Sequence, residues 1–151
     1  MLRLPGQQRL RHLRRQSADR GSSAVELAIL APVLLLFMLF IIEFALWFDA
    51  KHAALAAAQE GARVARDSAA TNPGWEGLAS ADAMSYYQHL DTSVLSQVTA
   101  QAVPGPGNTV KVTVSGRVNG ILGFPISVTV GGPVECFRPL NLEGQCSALG
   151  G

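Results

Sequence analysis

The chain has 151 residues, a formal net charge of +1 and a mean hydropathy of +0.24, and only 15% of its residues are charged. Because globular chains usually carry about 25% charged residues, this composition indicates one concentrated apolar segment and excludes a disordered or collagen-like chain. The charge is uneven: residues 1–20 hold six arginines and one acid, a net charge of +5, and the remainder carries −4. A basic head before a weakly acidic body excludes a uniformly basic nucleic-acid binder.

The apolar segment follows the basic head. Leu27–Ile42 contains no charged or polar side chain, and after Glu43 the apolar tract continues to Asp49. A helix needs about 20 residues to cross about 30 Å of hydrocarbon, so we predict a single transmembrane helix over residues 22–49. Because most of the arginines precede this helix, we expect residues 1–21 to stay cytoplasmic and the C-terminal part to lie outside.

Two carboxylates interrupt this pattern and are candidate functional residues, since charge in a membrane helix is costly. Glu26 lies five residues after Gly21. It either pairs with a cation, such as the α-amino group made by a cut after Gly21, or lies among the headgroups at a helix N-terminus. Glu43 either extends to the outer interface or pairs with a partner subunit. Pro32 removes a backbone hydrogen bond within the helix and is expected to bend it.

The helix is predicted to continue outside the membrane over residues 50–71, which are rich in alanine, and to stop at Asn72-Pro73-Gly74. Gly61 and the surrounding alanines form a narrow face that we expect to pack on the downstream domain. A solvated alanine-rich stalk is the alternative. Arg63 and Asp67 are four residues apart and are expected to form an ion pair across one turn.

Residues 72–135 are predicted to form a small α/β head. Its second helix covers about Trp75 to Leu90, and period-two alternation of apolar residues then predicts half-buried strands. Together these elements predict an α+β membrane protein of pilin-like architecture, with a three-stranded antiparallel sheet whose apolar face the long helix covers. The predicted strands cover residues 97–103, 110–118 and 126–130, with turns at 104–108 and 119–125.

The C-terminal tail, residues 136–151, contains the two cysteines, Cys136 and Cys146. In an oxidising compartment they would form a disulfide loop, and two free thiols are the alternative. The three histidines are scattered, so no metal site or cofactor is expected. No nucleophile–base pairing and no phosphate-binding loop occurs, so we expect neither an enzyme nor a small-molecule substrate. The few aromatic residues of the head argue against nucleic acid.

Five short motifs occur in order within residues 20–67. Together they resemble the N-terminal signature of the TadE-like family, pseudopilins of the tight-adherence (Flp) type IV pilus machinery. The family often has an aromatic residue after the first glutamate, where this chain has Leu27. The motifs are Arg20-Gly21, Ala24-Val25-Glu26, Ala31-Pro32-Val33-Leu34, Ile42-Glu43-Phe44 and Gln59-Glu60-Gly61-Ala62-Arg63.

The resemblance implies a minor pilin-like (pseudopilin) subunit or assembly factor that acts in surface attachment. A prepilin peptidase at the bacterial inner membrane would cut after Gly21 and leave Ser22 as the new N-terminus, with Glu26 guiding cleavage or assembly. Its partners would be that peptidase, other pilin-like subunits, the pilus assembly machinery and the lipid bilayer. The motif residues assigned to assembly or helix packing are Glu26, Pro32, Glu43, Glu60, Gly61 and Arg63.

Two alternatives of different class stay open. One is a single-pass envelope domain, anchored in the inner membrane and unrelated to pili, which would keep its leader. The other is a secreted binding domain with an ordinary signal peptide, whose mature chain would begin near residues 54–58, although the apolar tract is longer than the usual 7–15 residues of such signals.

Overall fold

The computed structural model describes residues 6–90 and 93–135, with side chains from Ser23 onward. The predicted combination of a long apolar N-terminal helix, a short second helix and a three-stranded antiparallel sheet is confirmed. The two cysteines of the predicted disulfide lie outside the described residues. The elements are α1 (Gly6–Ser68), α2 (Trp75–His89), β1 (Leu95–Gly105), β2 (Thr109–Val118) and β3 (Pro125–Pro133).

Helix α1 begins sixteen residues before the predicted start at Ser22. The reason lies in residues 7–20, where arginine, leucine and glutamine are good helix formers and no proline occurs. The helix ends close to the predicted stop. There the Gly74 amide donates to the Asn72 side-chain oxygen (2.8 Å), a local turn that replaces further helical hydrogen bonds.

The chain divides into two compact units between Ile42 and Glu43. In the first unit, every described side chain from Ser23 to Ile42 is exposed, and we call this stretch the apolar segment. The second unit begins at Glu43 and contains the rest of α1, α2 and the sheet. We call its described part, residues 43–90 and 93–135, the head.

The sheet of the head has the strand order β1-β2-β3, with both pairs antiparallel. Val114 of the central strand faces Ala100 on one side and Val128 on the other, which sets the register. The prediction that Pro104 belongs to the first turn was wrong, because Pro104 pairs with Val110 within β1. A proline is tolerated there since β1 is an edge strand and its missing N–H faces away from the ladder.

The core of the head lies between β2 and the outer part of α1. Val110, Val112 and Val114 are fully buried, as the alternation of the sequence predicts. Helix α2 contributes a stripe with four-residue spacing, from Trp75 to Tyr87. The expectation that α1 packs on the downstream domain is confirmed. The α1 residues in this core are Ala50, Ala53, Ala54, Ala57, Ala58, Ala62, Ala65 and Ala69.

Candidate functional site along the long helix

The junction expected to be processed lies within the continuous helical backbone of α1. Gly21 and Ser22 are helical, and Glu26 follows one turn after Ser22 with an exposed side chain. Large apolar side chains on both sides of Glu26, those of Val25 and Leu27, are exposed as well. The carboxylate therefore has no cover from the described residues of its own chain.

The apolar segment carries the largest exposed apolar surface of the described chain. The part of α1 from Ser23 to Ser68 contains a stretch long and apolar enough to cross a membrane, and none of that stretch is buried. Pro32 lies within this helix. A helix that is apolar all round and uncovered requires lipid or partner helices around it, so α1 is a candidate membrane anchor.

Glu43 is the first residue of the head, and its position differs from both alternatives that the sequence left open. Its side chain is only 6% exposed and packs against the connection between β2 and β3. One carboxylate oxygen, Oε1, accepts the backbone N–H of Ile121, which is 78 residues away in sequence. The other oxygen, Oε2, is buried without a hydrogen-bond partner among the described residues.

The neighbouring glycine makes this burial possible. A Cβ atom added to Gly120 would overlap with Oε2 of Glu43 and lie 3.0 Å from its carboxyl carbon, so the carboxylate would have to shift. The loop therefore packs closely on the carboxylate at a position where a glycine leaves room for it. No pattern of residues predicts this contact, because the partner of Glu43 is a backbone group rather than a side chain of opposite charge.

Gly61 lies where α1 crosses α2 and the sheet. A Cβ atom there would approach the Ala83 Cβ to 2.8 Å, the Ala79 carbonyl oxygen to 2.9 Å and a Val112 methyl to 3.1 Å. Two of these neighbours are rigid parts of α2. The narrow face predicted around Gly61 thus serves contact within the head itself.

Arg63 forms its ion pair with Glu60, and the expected pair with Asp67 was wrong. The Arg63 guanidinium donates to both Glu60 oxygens, with the Nε atom 3.1 Å from each. This hydrogen-bonded pair lowers the pKa of the Glu60 carboxyl and raises the pKa of Arg63. Both side chains lie on the solvent side of α1, so the pair supports the helix weakly.

The structure therefore divides the predicted site residues. Glu26 and Pro32 lie in the first unit, whereas Glu43, Gly61 and the Glu60–Arg63 pair lie in the head. Among the described side chains, no three of His, Cys, Asp or Glu come together as a metal site would require. Sequence reasoning missed the residues between β2 and β3, although apolar residues in a strand connection were a visible signal.

A change at Glu60 is expected to affect stability only where its carboxyl is charged. Because the folded-state pKa lies below the ordinary value of 4.5, the pair stabilises the fold above that value and loses its effect as the pH falls through the lowered pKa. Glu60→Gln should slightly lower the denaturant midpoint of the full-length protein in mild detergent at neutral pH. Below the lowered pKa of Glu60 the difference should vanish. An Arg63→Gln background should abolish the effect at every pH, and a difference that persists in acid would contradict the pairing.

Comparison with known proteins supports the family resemblance of the motifs along α1. Residues 21–63 match the family model described as TadE-like protein, a match that begins at Gly21 and ends at Arg63. No curated protein and no solved structure matches the chain. The resemblance inferred from the sequence motifs is thereby confirmed, and residues 21–63 of this chain are similar to the TadE-like family.

Proposed function

We propose that the protein is a minor pilin-like (pseudopilin) subunit or assembly factor of a tight-adherence type IV pilus. In this proposal a prepilin peptidase cuts the leader after Gly21, and the apolar segment holds the chain in the bacterial inner membrane with the head in the periplasm. The observation that carries the proposal is the family match, which associates the chain with the tight-adherence pilus and starts at the residue before the proposed cut.

The charge distribution supports the proposed orientation. The six arginines before the apolar segment favour a cytoplasmic leader, and the leader is where a cytoplasmic-side peptidase would act. Its removal changes the charge of the chain from +1 to −4. The positive charge that orients the chain during insertion would thus be absent from the mature subunit.

Glu26 has a physical role in this proposal. A cut after Gly21 creates an α-amino group on Ser22, four residues and about 6 Å along a helix from Glu26. The exposed carboxylate of one subunit could then be neutralised by the new amino group of its own or a neighbouring chain. A neutralised pair lies in an apolar environment at lower cost than a lone charge.

The proposal predicts the N-terminus of the protein in its host. Mass spectrometry of the membrane-extracted chain should find Ser22 as the first residue, whereas a strain without the prepilin peptidase should retain the leader. An intact leader in a strain with an active peptidase would refute the processing step. Glu26→Ala should leave membrane insertion intact and strongly reduce processing or piliation, with Glu76→Ala as a matched control. Unchanged processing and piliation in Glu26→Ala would remove the role of Glu26.

A second candidate is an anchored envelope domain without a pilus role. The head favours it in one respect, because the alanine face of α1 is covered by the chain itself and leaves no apolar surface there that needs a partner. This candidate predicts an uncut leader and normal surface attachment when the protein is deleted. The same mass measurement therefore separates the two functions.

A further inference from the structure

The connection between β2 and β3, Asn119–Phe124, exposes large apolar side chains, whereas strand connections that face water are usually polar. We call it the β2–β3 loop. Ile121 is 77% exposed, Leu122 61% and Phe124 46%. Grouped exposed apolar residues mark a surface that contacts a protein or a membrane.

Hydrogen bonds hold the loop in this conformation. The Val118 amide donates to the Phe124 carbonyl (2.9 Å), so the two ends of the loop are tied to each other. The Asn119 amide donates to the Val94 carbonyl (2.8 Å), and the Arg117 guanidinium donates to the Gly123 carbonyl (3.3 Å). The loop is thus attached to the head, and its apolar side chains point away from the core.

The attachment to Glu43 fixes the level of the loop along α1. Glu43 accepts the Ile121 amide, and the residues around Glu43 on the helix are apolar and exposed, namely Phe44 and, one turn later, Phe48. The apolar tract ends only at Asp49. The loop therefore meets the helix within the last turns of the tract that is proposed to lie in the membrane.

Two side chains at this level are typical of a membrane interface. The Lys51 ammonium lies 5.2 Å from the centre of the Trp47 ring. Trp and Lys at the end of an apolar helix favour the headgroup region, where the ring is half in the apolar layer and the ammonium meets phosphate. Glu43 lies one turn, or about 6 Å, before Trp47. If Trp47 and Lys51 lie in the headgroup region, the loop is therefore attached on its hydrocarbon side.

We propose that the β2–β3 loop inserts Ile121, Leu122 and Phe124 into the outer leaflet of the membrane that α1 spans. The occupant of this surface is the lipid bilayer, because the loop is attached at Glu43, next to the exposed apolar side chains of Phe44 and Phe48 on α1. Arg117, at the base of the loop, supplies a cation for the lipid phosphates. The loop also covers the Glu43 carboxylate, which would otherwise face hydrocarbon.

This inference rests on the membrane anchoring of the proposed function, and the test separates the two. The full chain is reconstituted into vesicles of phosphatidylethanolamine with a minority of phosphatidylglycerol. An environment-sensitive fluorescent amino acid replaces one residue at a time, so that Cys136 and Cys146 stay unchanged. The three positions are Ile121 in the loop, Leu36 in the apolar segment and Val103, which is exposed at the opposite end of the sheet.

The expected result is a blue-shifted emission at positions 121 and 36, quenched several-fold more by brominated acyl chains than the emission at position 103. A water-exposed signal at 121 with a lipid-exposed signal at 36 would overturn the insertion of the loop and leave the anchoring intact. A water-exposed signal at 36 would overturn the anchoring itself. A third outcome is a blue-shifted emission at position 121 that brominated acyl chains do not quench and that is lost when the protein-to-lipid ratio is lowered. That result would assign the surface to a contact with a second copy of the chain and would overturn the proposal.

Discussion

Gly61→Ala is expected to destabilise the head by about 1–2 kcal/mol, although alanine is the better helix former. The added methyl group would lie 2.8 Å from the Ala83 Cβ and 2.9 Å from the Ala79 carbonyl oxygen. Overpacking of this kind costs about 1–3 kcal/mol, and the gain in helix propensity returns up to about 1 kcal/mol. Because both neighbours belong to the framework of α2, α1 and α2 must separate to make room. Denaturant unfolding of the full-length protein in mild detergent measures the loss.

Gly77→Ala is the matched control for this substitution. Gly77 also lies in a helix, α2, but a Cβ atom there would meet nothing within 4 Å. The control should therefore raise stability by up to about 1 kcal/mol, through helix propensity alone. Opposite signs for the two glycine substitutions would show that close helix contact decides the first. Equal stabilisation by both would contradict the packing described at Gly61.

Glu43→Ala is expected to release the β2–β3 loop from α1. The substitution removes the acceptor of the Ile121 amide, and a hydrogen bond to a charged group is worth about 1.5–3 kcal/mol. Hydrogen exchange at the Ile121 amide should therefore accelerate by about 10- to 100-fold, since about 1.4 kcal/mol corresponds to a factor of ten. Mass-resolved exchange of the full chain in vesicles or detergent measures this directly.

Two controls make this result specific. The Asn119 amide donates to Val94 rather than to Glu43, so its protection should not change. Glu43→Gln keeps an acceptor oxygen and removes the charge, so the loop should stay attached in that variant. If the Ile121 amide exchanged equally fast in the wild type and in Glu43→Ala, the carboxylate would not be what holds the loop.

Patterns of local residues predicted most of the fold. Alternating valines from Val110 to Val114 predicted a half-buried strand, and they form the fully buried centre of the sheet. The length of the alanine-rich helix predicted that it packs on the downstream domain, and Gly61 was expected to lie on the contact face. These predictions succeeded because helical and strand periodicities follow directly from which side of an element is buried.

The predictions that failed concerned side-chain contacts and the ends of strands, which the periodicity of the sequence does not determine. Arg63 has an acidic residue within reach on each side along the helix, Glu60 three residues before it and Asp67 four residues after it. Sequence spacing does not decide between them, and the side-chain conformations in the structure pair Arg63 with Glu60. The place of Pro104 depended on β1 being an edge strand, which is a property of the whole sheet. The partner of Glu43 is a backbone N–H of a distant loop, and a backbone donor has no identity in the sequence.

The alanine face of α1 has a consequence for assembly. From Ala50 to Ala69 this face is already in contact with the sheet and α2, and the opposite side of the same stretch carries Lys51, Gln59 and Asp67. Helices that bundle side by side need small or apolar faces, and in this stretch the only such face is occupied. If subunits join laterally through α1, the helical core that they build is therefore limited to the part of α1 before Ala50, which contains the apolar segment and the exposed Phe44 and Phe48. Beyond Asp49, neighbouring subunits would meet through the surfaces of their heads.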